Sequence, residues 1–299
     1  MAGTVLVLIA APGSRAIDGE ALAILEQAGF GAPVWLAEAE ACEFVLEGLV
    51  PAMREEELRG TLAPRPIDVA LVDAAGRRKR LLLADMDSTM IRQECVDELA
   101  QLAGVSDEVR DVTLAAMRGE IPFEESLIRR VALLKGLPAS SIGVVMARLD
   151  YAAGGRTLLA TLEANGCYTV LISGGFTAFT AGVAAALGFD EHRANELDIA
   201  DGRLAGTVRR PILGSNAKLA ALDELAARLG IGRNDVIAVG DGANDIPMLA
   251  AAGIGVALHA KPAVRHAANV RIDHGDLTAL LYLQGYRRSA FLSPSLQLE

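Results

Sequence analysis

The chain has 299 residues, and its 28 Lys and Arg against 38 Asp and Glu leave a formal charge of −10. Apolar residues at 52% and charged residues at 22% exclude a disordered chain, and the acidic balance argues against a nucleic-acid partner. Three widely spaced cysteines, Cys42, Cys95 and Cys167, fit neither a disulfide framework nor a zinc site; they suit buried positions in a reducing cytoplasm.

The opening run Thr4–Ala11 is apolar throughout but far shorter than the ~20 residues of a membrane span, and no basic stretch precedes it as in a leader peptide. It reads as a parallel-sheet strand, and the chain as cytoplasmic with no membrane partner. Gly19–Ala28 has helical spacing with Gly29 as its stop; Pro33–Ala37 and Glu43–Leu46 read as strands, Ala52–Leu62 as a helix and Ile67–Val72 as a strand. This βαββαβ order predicts a small ferredoxin-like α+β unit over residues 1–78, followed by the basic connector Gly76–Arg80.

From residue 79 to about 290 the texture is that of an α/β unit with a Rossmann-like parallel sheet. Strand-like runs at Leu81–Ala84, Tyr168–Ile172, Val236–Val239 and Ile254–Ala257 alternate with helical segments. About 80 residues separate the first two runs, where a crossover needs only a dozen or so. The excess reads as helices at Gln93–Ala103, Ser106–Met117, Phe123–Lys135 and Ala139–Leu149, with Ser106 as an N-cap ahead of two acids. A helical insertion at about 92–150 would sit above the C-terminal strand ends, over the usual ligand crevice. Asp201-Gly202 between two short alternating runs predicts a hairpin, and the tail from Arg287 is expected to be mobile.

Four segments carry chemistry. In Leu81–Thr89 (L-L-L-A-D-M-D-S-T) an apolar strand delivers Asp85 and Asp87 to one side of its C-terminal end. Two carboxylates so close raise each other's pKa, and a divalent cation resolves the conflict while drawing an anionic substrate to an anionic protein. In Val236–Asp245 (V-I-A-V-G-D-G-A-N-D) a second strand ends in Asp241, Asn244 and Asp245, hard oxygen donors suited to Mg²⁺. Ser173, followed by Gly174 and Gly175 at another strand end, offers a hydroxyl and bare N–H groups to a phosphate. Lys218, at the start of a helix, supplies the missing counter-charge. Each alone also fits a solvated loop or a surface charge; together they do not.

In order and spacing, D-M-D-S-T, I-S-G-G, the isolated Lys218 and G-D-G-A-N-D resemble the four motifs of haloacid-dehalogenase-superfamily phosphatases over Arg80 to Gly285, nearest to the phosphoserine phosphatase branch. The resemblance implies a helical cap, Mg²⁺ as cofactor and O-phosphoserine as substrate. It makes Asp85 the nucleophile and Asp87 the general acid/base, with Ser173, Gly174 and Lys218 on the phosphoryl group. Mg²⁺ would lie on Asp85, the Asp87 carbonyl and Asp241, supported by Asp245. Glu94 would face the substrate ammonium and Arg130 its carboxylate; Met117 and Phe123 would exclude water, and Asn244 would complete the pocket. The N-terminal unit resembles ACT-type regulatory domains, through which a homodimer could form. Transfer of the phosphoryl group to another alcohol, hydrolysis of a different small phosphomonoester and a long-lived phospho-acceptor domain remain open alternatives.

Overall fold

The computed structural model describes residues 3–46 and 55–293. The first unit runs β1 (Thr4–Ala10), α1 (Gly19–Gln27), β2 (Val34–Ala37), β3 (Ala41–Leu46), α2 (Glu55–Leu62) and β4 (Ile67–Asp73), with the start of the expected second helix outside the described residues. The strands form one sheet in the order β2-β3-β1-β4, every neighbour antiparallel. That corrects the parallel-strand reading of the opening run. Alternate residues of β1 face opposite sides of the sheet: Leu6 and Leu8 pack with Leu25 of α1 and Leu58 of α2, while Val5, Val7 and Ile9 pack toward Leu280 and Leu283. Burial on both faces gives an antiparallel strand the continuous apolar run of a parallel one.

The second unit is an α/β fold built on a six-stranded parallel sheet in the order β12-β11-β10-β5-β6-β7. Its strands are β5 (Leu81–Ala84), β6 (Tyr168–Phe176), β7 (Glu191–Asn195), β10 (Val236–Gly240), β11 (Ile254–Leu258) and β12 (Val270–Ile272). Between β5 and β6 lie the cap helices α3 (Cys95–Ala103), α4 (Ser106–Met117), α5 (Phe123–Leu133) and α6 (Ser141–Met146), then α7 (Gly155–Ala164), which packs on the sheet. Ser106 is the first helical residue rather than the cap: Val105 holds the N-cap position and no side chain caps that end. The cap leaves and rejoins the sheet through two paired strands of chain, with Ile91 bridged to Tyr151 and Ala152 N–H donating to Met90 O at 2.9 Å.

After α8 (Thr177–Leu187) and β7, the hairpin β8 (Leu197–Ala200) and β9 (Arg203–Val208) turns through Asp201 and Gly202, both at positive φ. It pairs with the cap, Leu204 N–H donating to Leu137 O at 2.9 Å. Helices α9 (Ser215–Leu229), α10 (Ile246–Ala251), α11 (Pro262–Ala267) and α12 (Ala279–Leu283) complete the unit.

The basic connector is docked rather than solvated. Arg77 pairs with Glu43 at 2.7 Å, Arg78 lies 3.5 Å over the Tyr286 ring, and the nearly buried Lys79 donates to the carbonyls of Gly76 and Asn234. The tail is also held as far as it is described: Phe291 packs on Tyr282 with ring centroids 4.9 Å apart, and Leu292 N–H donates to Thr161 Oγ1. Aromatic burial of this kind anchors a segment that polar sequence alone would leave loose. Among the described residues no helix is long and apolar enough to cross a membrane.

Candidate active site

The chemistry gathers where β5, β6 and β10, neighbours in the sheet, all end. Chain reversal after apolar strands places polar groups at this edge, because only there can they leave the core. Asp85 follows β5 directly, and its N–H donates to Val239 O of β10 at 3.0 Å. Lys218, one turn into α9 and fully buried, donates to Asp85 Oδ1 and to Asp245 Oδ1, both at 2.6 Å. Asp245 also accepts the Gly242 N–H at 3.1 Å. A Cβ on Gly240 would lie 2.4 Å from the Asp245 carboxylate, so only glycine fits at that strand end.

Carboxylate oxygens of Asp85, Asp241 and Asp245 lie within 4.8 Å of one another, and all three residues are buried. Burial, then the charge of Asp245, pushes the Asp85 carboxyl well above its usual range, with Lys218 opposing. Burial and Asp245 likewise raise Asp241 to about 6, opposed by Lys261, whose Nζ stands 3.9 Å away. Burial works against the charge of Lys218, but Asp245 and Asp85 more than offset it and hold the ammonium above its ordinary range. Three carboxylates against the buried ammonium of Lys218 and the half-exposed one of Lys261 still leave an excess of negative charge in a largely dry site. Hard oxygen donors so arranged can hold a divalent metal.

Asp87 stands beside this cluster and toward the cap. Burial, then the nearby Glu94, raises its carboxyl to about 7, while the Cys95 N–H, donating at 3.1 Å, works the other way. Ser173, almost fully buried, accepts the Gly175 N–H at 2.9 Å. A Cβ on Gly175 would lie 2.9 Å from Asp87 Oδ2 and 3.1 Å from Ser173 Oγ, so the glycine brings the hydroxyl and the acid together. Gly174 is seated under the cap in the same way: a Cβ there would meet the Phe123 ring at 2.9 Å and Asn244 Nδ2 at 3.6 Å. Arg210 reaches back to Glu124 at 2.6 Å, fastening the start of α5 to the chain before α9.

Cap residues complete the wall. Glu94 precedes α3 and accepts the Ser88 hydroxyl at 2.8 Å. Arg130 on α5 is half-buried, and Ser126 O is the carbonyl its Nε reaches, at 3.4 Å. Burial lowers the pKa of its guanidinium, and Asp97, Glu94 and Asp87 pull it back up. Met117 lies at the end of α4 and is 61% exposed.

Four further residues support the site. Thr89 donates to Asp241 Oδ1 at 3.2 Å, and Ser88 adopts a left-handed φ of 57° while holding Glu94. Lys261 flanks Asp241. Asn195, buried at the end of β7, donates to Gly174 O at 2.9 Å and accepts the Leu213 N–H at 2.6 Å, tying the Ser-Gly-Gly turn to the approach of α9. Ser88 and Thr89 lay inside a motif already legible; Asn195 and Lys261 gave no sequence signal, being lone polar residues outside any pattern.

The family model for haloacid dehalogenase-like hydrolases matches residues 82–250. The chain belongs to that family. Among its curated relatives, the phosphoserine phosphatase of Streptomyces coelicolor is 44% identical over 83% of the chain. The chain spans 61% of that protein's length. A family hydrolase from Salmonella enterica serovar Typhi superposes over 94% of the chain and 98% of its own, with TM-score 0.84 and 31% identity. A phosphoserine phosphatase solved as a phospho-aspartyl intermediate analogue covers 69% of this chain and 98% of its own, with TM-score 0.65 and 39% identity.

Proposed function

We propose that this hydrolase converts O-phospho-L-serine to L-serine and phosphate in the cytoplasm, as the last step of serine biosynthesis, through an aspartyl-phosphate on Asp85. The observation that carries the reading is the buried Lys218 joined to Asp85 and Asp245 at 2.6 Å, beside an Asp87 held near pH 7. The relatives named above support the substrate.

Mg²⁺ would be held by Asp85, Asp241 and the Asp87 carbonyl, with Asp245 in support, and would supply charge neutralisation to the phosphoryl oxygens. Lys218, with the Ser173 hydroxyl and the N–H of Gly174, would bind and orient the phosphoryl group. An Asp85 carboxylate oxygen attacks phosphorus in line as the bond from phosphorus to the seryl oxygen breaks. Asp87 gives its proton to that departing oxygen. Asp87 then takes a proton from a water, whose oxygen attacks phosphorus and releases phosphate and the Asp85 carboxylate. Glu94 and Arg130 would pair with the substrate's ammonium and carboxylate, and Phe123 and Asn244 would shape the pocket between them. A second copy joining through the N-terminal unit would have to avoid the sheet face that packs on α12, which is covered by this chain itself.

The test is a phosphatase screen of phosphoamino acids and sugar phosphates with and without Mg²⁺, including a competing alcohol acceptor. Hydrolysis of phosphoserine, dependent on the ion, is expected. Preference for another ester, or phosphoryl transfer to the alcohol, would refute the assignment.

A further inference from the structure

Asp68 lies on β4, outside the catalytic motifs, and is 1% exposed. No lysine or arginine pairs with it among the described residues, and His274 is the nearby group that favours its charge. Its carboxylate instead accepts three backbone N–H groups of the other unit: Asp273 at 2.7 Å, His274 at 3.1–3.2 Å on both oxygens, and Gly275 at 2.7 Å. A buried carboxylate satisfied wholly by one loop fixes that loop, because any movement leaves unpaired groups in a dry place.

What this loop touches next is the second hinge of the cap. Asp276 Oδ1 accepts the N–H and the hydroxyl of Thr278, at 2.8 and 2.5 Å. Leu277 N–H donates to Ala153 O at 3.2 Å. Gly154, at φ 80°, is pressed so closely that a Cβ would lie 2.8 Å from Thr278 N and 2.9 Å from Asp276 Oδ1. Gly155 stands equally against Leu277 and Met90, the latter on the first hinge strand. Residues 152–155 are where the cap rejoins the sheet. One contiguous set of hydrogen bonds and close contacts therefore runs from the N-terminal sheet to the cap hinge.

We infer that Asp68 is a positioning residue for the cap: from the N-terminal sheet it fixes the 273–278 segment on which the cap's second hinge rests. Displacing that segment loosens the hinge, and the cap residues Glu94 and Arg130 lose their register over Asp85. The N-terminal unit thus acts on substrate binding without reaching the site. Only the kinetic part of this inference rests on the activity proposed above.

The test uses the full chain with Asp68→Asn, which keeps the shape and sets an amide N–H₂ against the loop's donors, and with Asp276→Ala, which cuts the path one step later. Amide exchange is followed by mass spectrometry in peptides spanning 150–158 and 273–280, and kinetics are measured on phosphoserine. Both variants are expected to speed exchange in those two peptides while α1 and β10 keep wild-type rates. KM should rise about fivefold, in the range seen for changes along a coupling path, with kcat nearly unchanged. Wild-type exchange at the hinge together with a wild-type KM, in either variant, overturns the inference. So does uniformly faster exchange across β1 and β4, which marks simple undocking. If Asp68→Asn does not fold, Asp276→Ala decides. If the wild type does not hydrolyse phosphoserine, the proposed activity falls and the exchange measurement still decides the inference.

Discussion

Lys218→Met removes an ammonium while keeping most of the volume of its stem. The two contacts at 2.6 Å, to Asp85 and Asp245, are shielded from solvent, since the lysine side chain is 0% exposed and its partners 8% and 0%. At an effective dielectric of 20 each contact supplies about 6 kcal/mol of attraction before desolvation. Dehydrating three charges takes back most of that. The measured cost of deleting one partner of a buried pair, about 3–5 kcal/mol, is therefore the expected loss. Urea unfolding in excess chelator at pH 8 reads it directly. At pH 5 the loss should shrink, because Asp85, whose carboxyl is already pushed up by burial, can take a proton instead. Turnover should fall at least about 100-fold, the usual effect of removing a preorganised donor to a developing oxyanion. A variant that loses under about 1 kcal/mol and retains activity would show that Lys218 is not the counter-charge of this cluster.

Further expectations follow from the same geometry. With Asp87 held near 7, needed protonated in the first half-reaction and ionised in the second, the pH profile of kcat should be a bell centred near neutrality; a flat profile from pH 5 to 9 contradicts its role. Asp241, raised from 3.8 to about 6, contributes stability below its unfolded value that is lost as pH rises through 6. Without a divalent ion the chain should lose up to about 3 kcal/mol at this residue between pH 4 and 7, and added Mg²⁺ should reverse the loss above pH 6, as thermal melts would record. Arg130→Ala should raise KM for phosphoserine and leave an aryl phosphate nearly unaffected; equal losses on both substrates would remove its carboxylate-binding role. Ser88→Ala frees Glu94 and should weaken phosphoserine more than an analogue lacking the amine, with a loss of about 3–10-fold, the net worth of one solvent-exposed hydrogen bond.

What the sequence made legible follows from where each residue's information is stored. Strands β5, β6, β10 and β11 announce themselves because a parallel strand covered on both faces must be apolar throughout. β7 escapes, since E-H-R-A-N is polar: it is the sheet's edge, half-exposed, and its charges pair with Arg228 and Glu224 instead of a core. β12 is only three residues long. The last cap helix contracts to Ser141–Met146, because Pro138 and the chain pairing with Arg203 hold its approach in an extended form. Asp85, Asp87, Lys218, Asp241 and Asp245 were readable as a set because each sits at a strand end or helix start with a distinctive neighbour. The left-handed Ser88, the Asn195 brace and the Asp68 contact with residues 273–275 were not. Each depends on a partner far away in sequence, and no local pattern encodes that pairing.

The central claim is that the Asp85 carboxylate carries the phosphoryl group between two half-reactions. Rapid acid quench during turnover of phosphoserine, followed by borohydride reduction and peptide mass spectrometry, tests it directly, since an aspartyl-phosphate is reduced to homoserine. The account predicts homoserine at position 85, dependent on substrate and lacking in Asp85→Asn. Active turnover with no modified residue at 85, or with the modification at another aspartate, would contradict it.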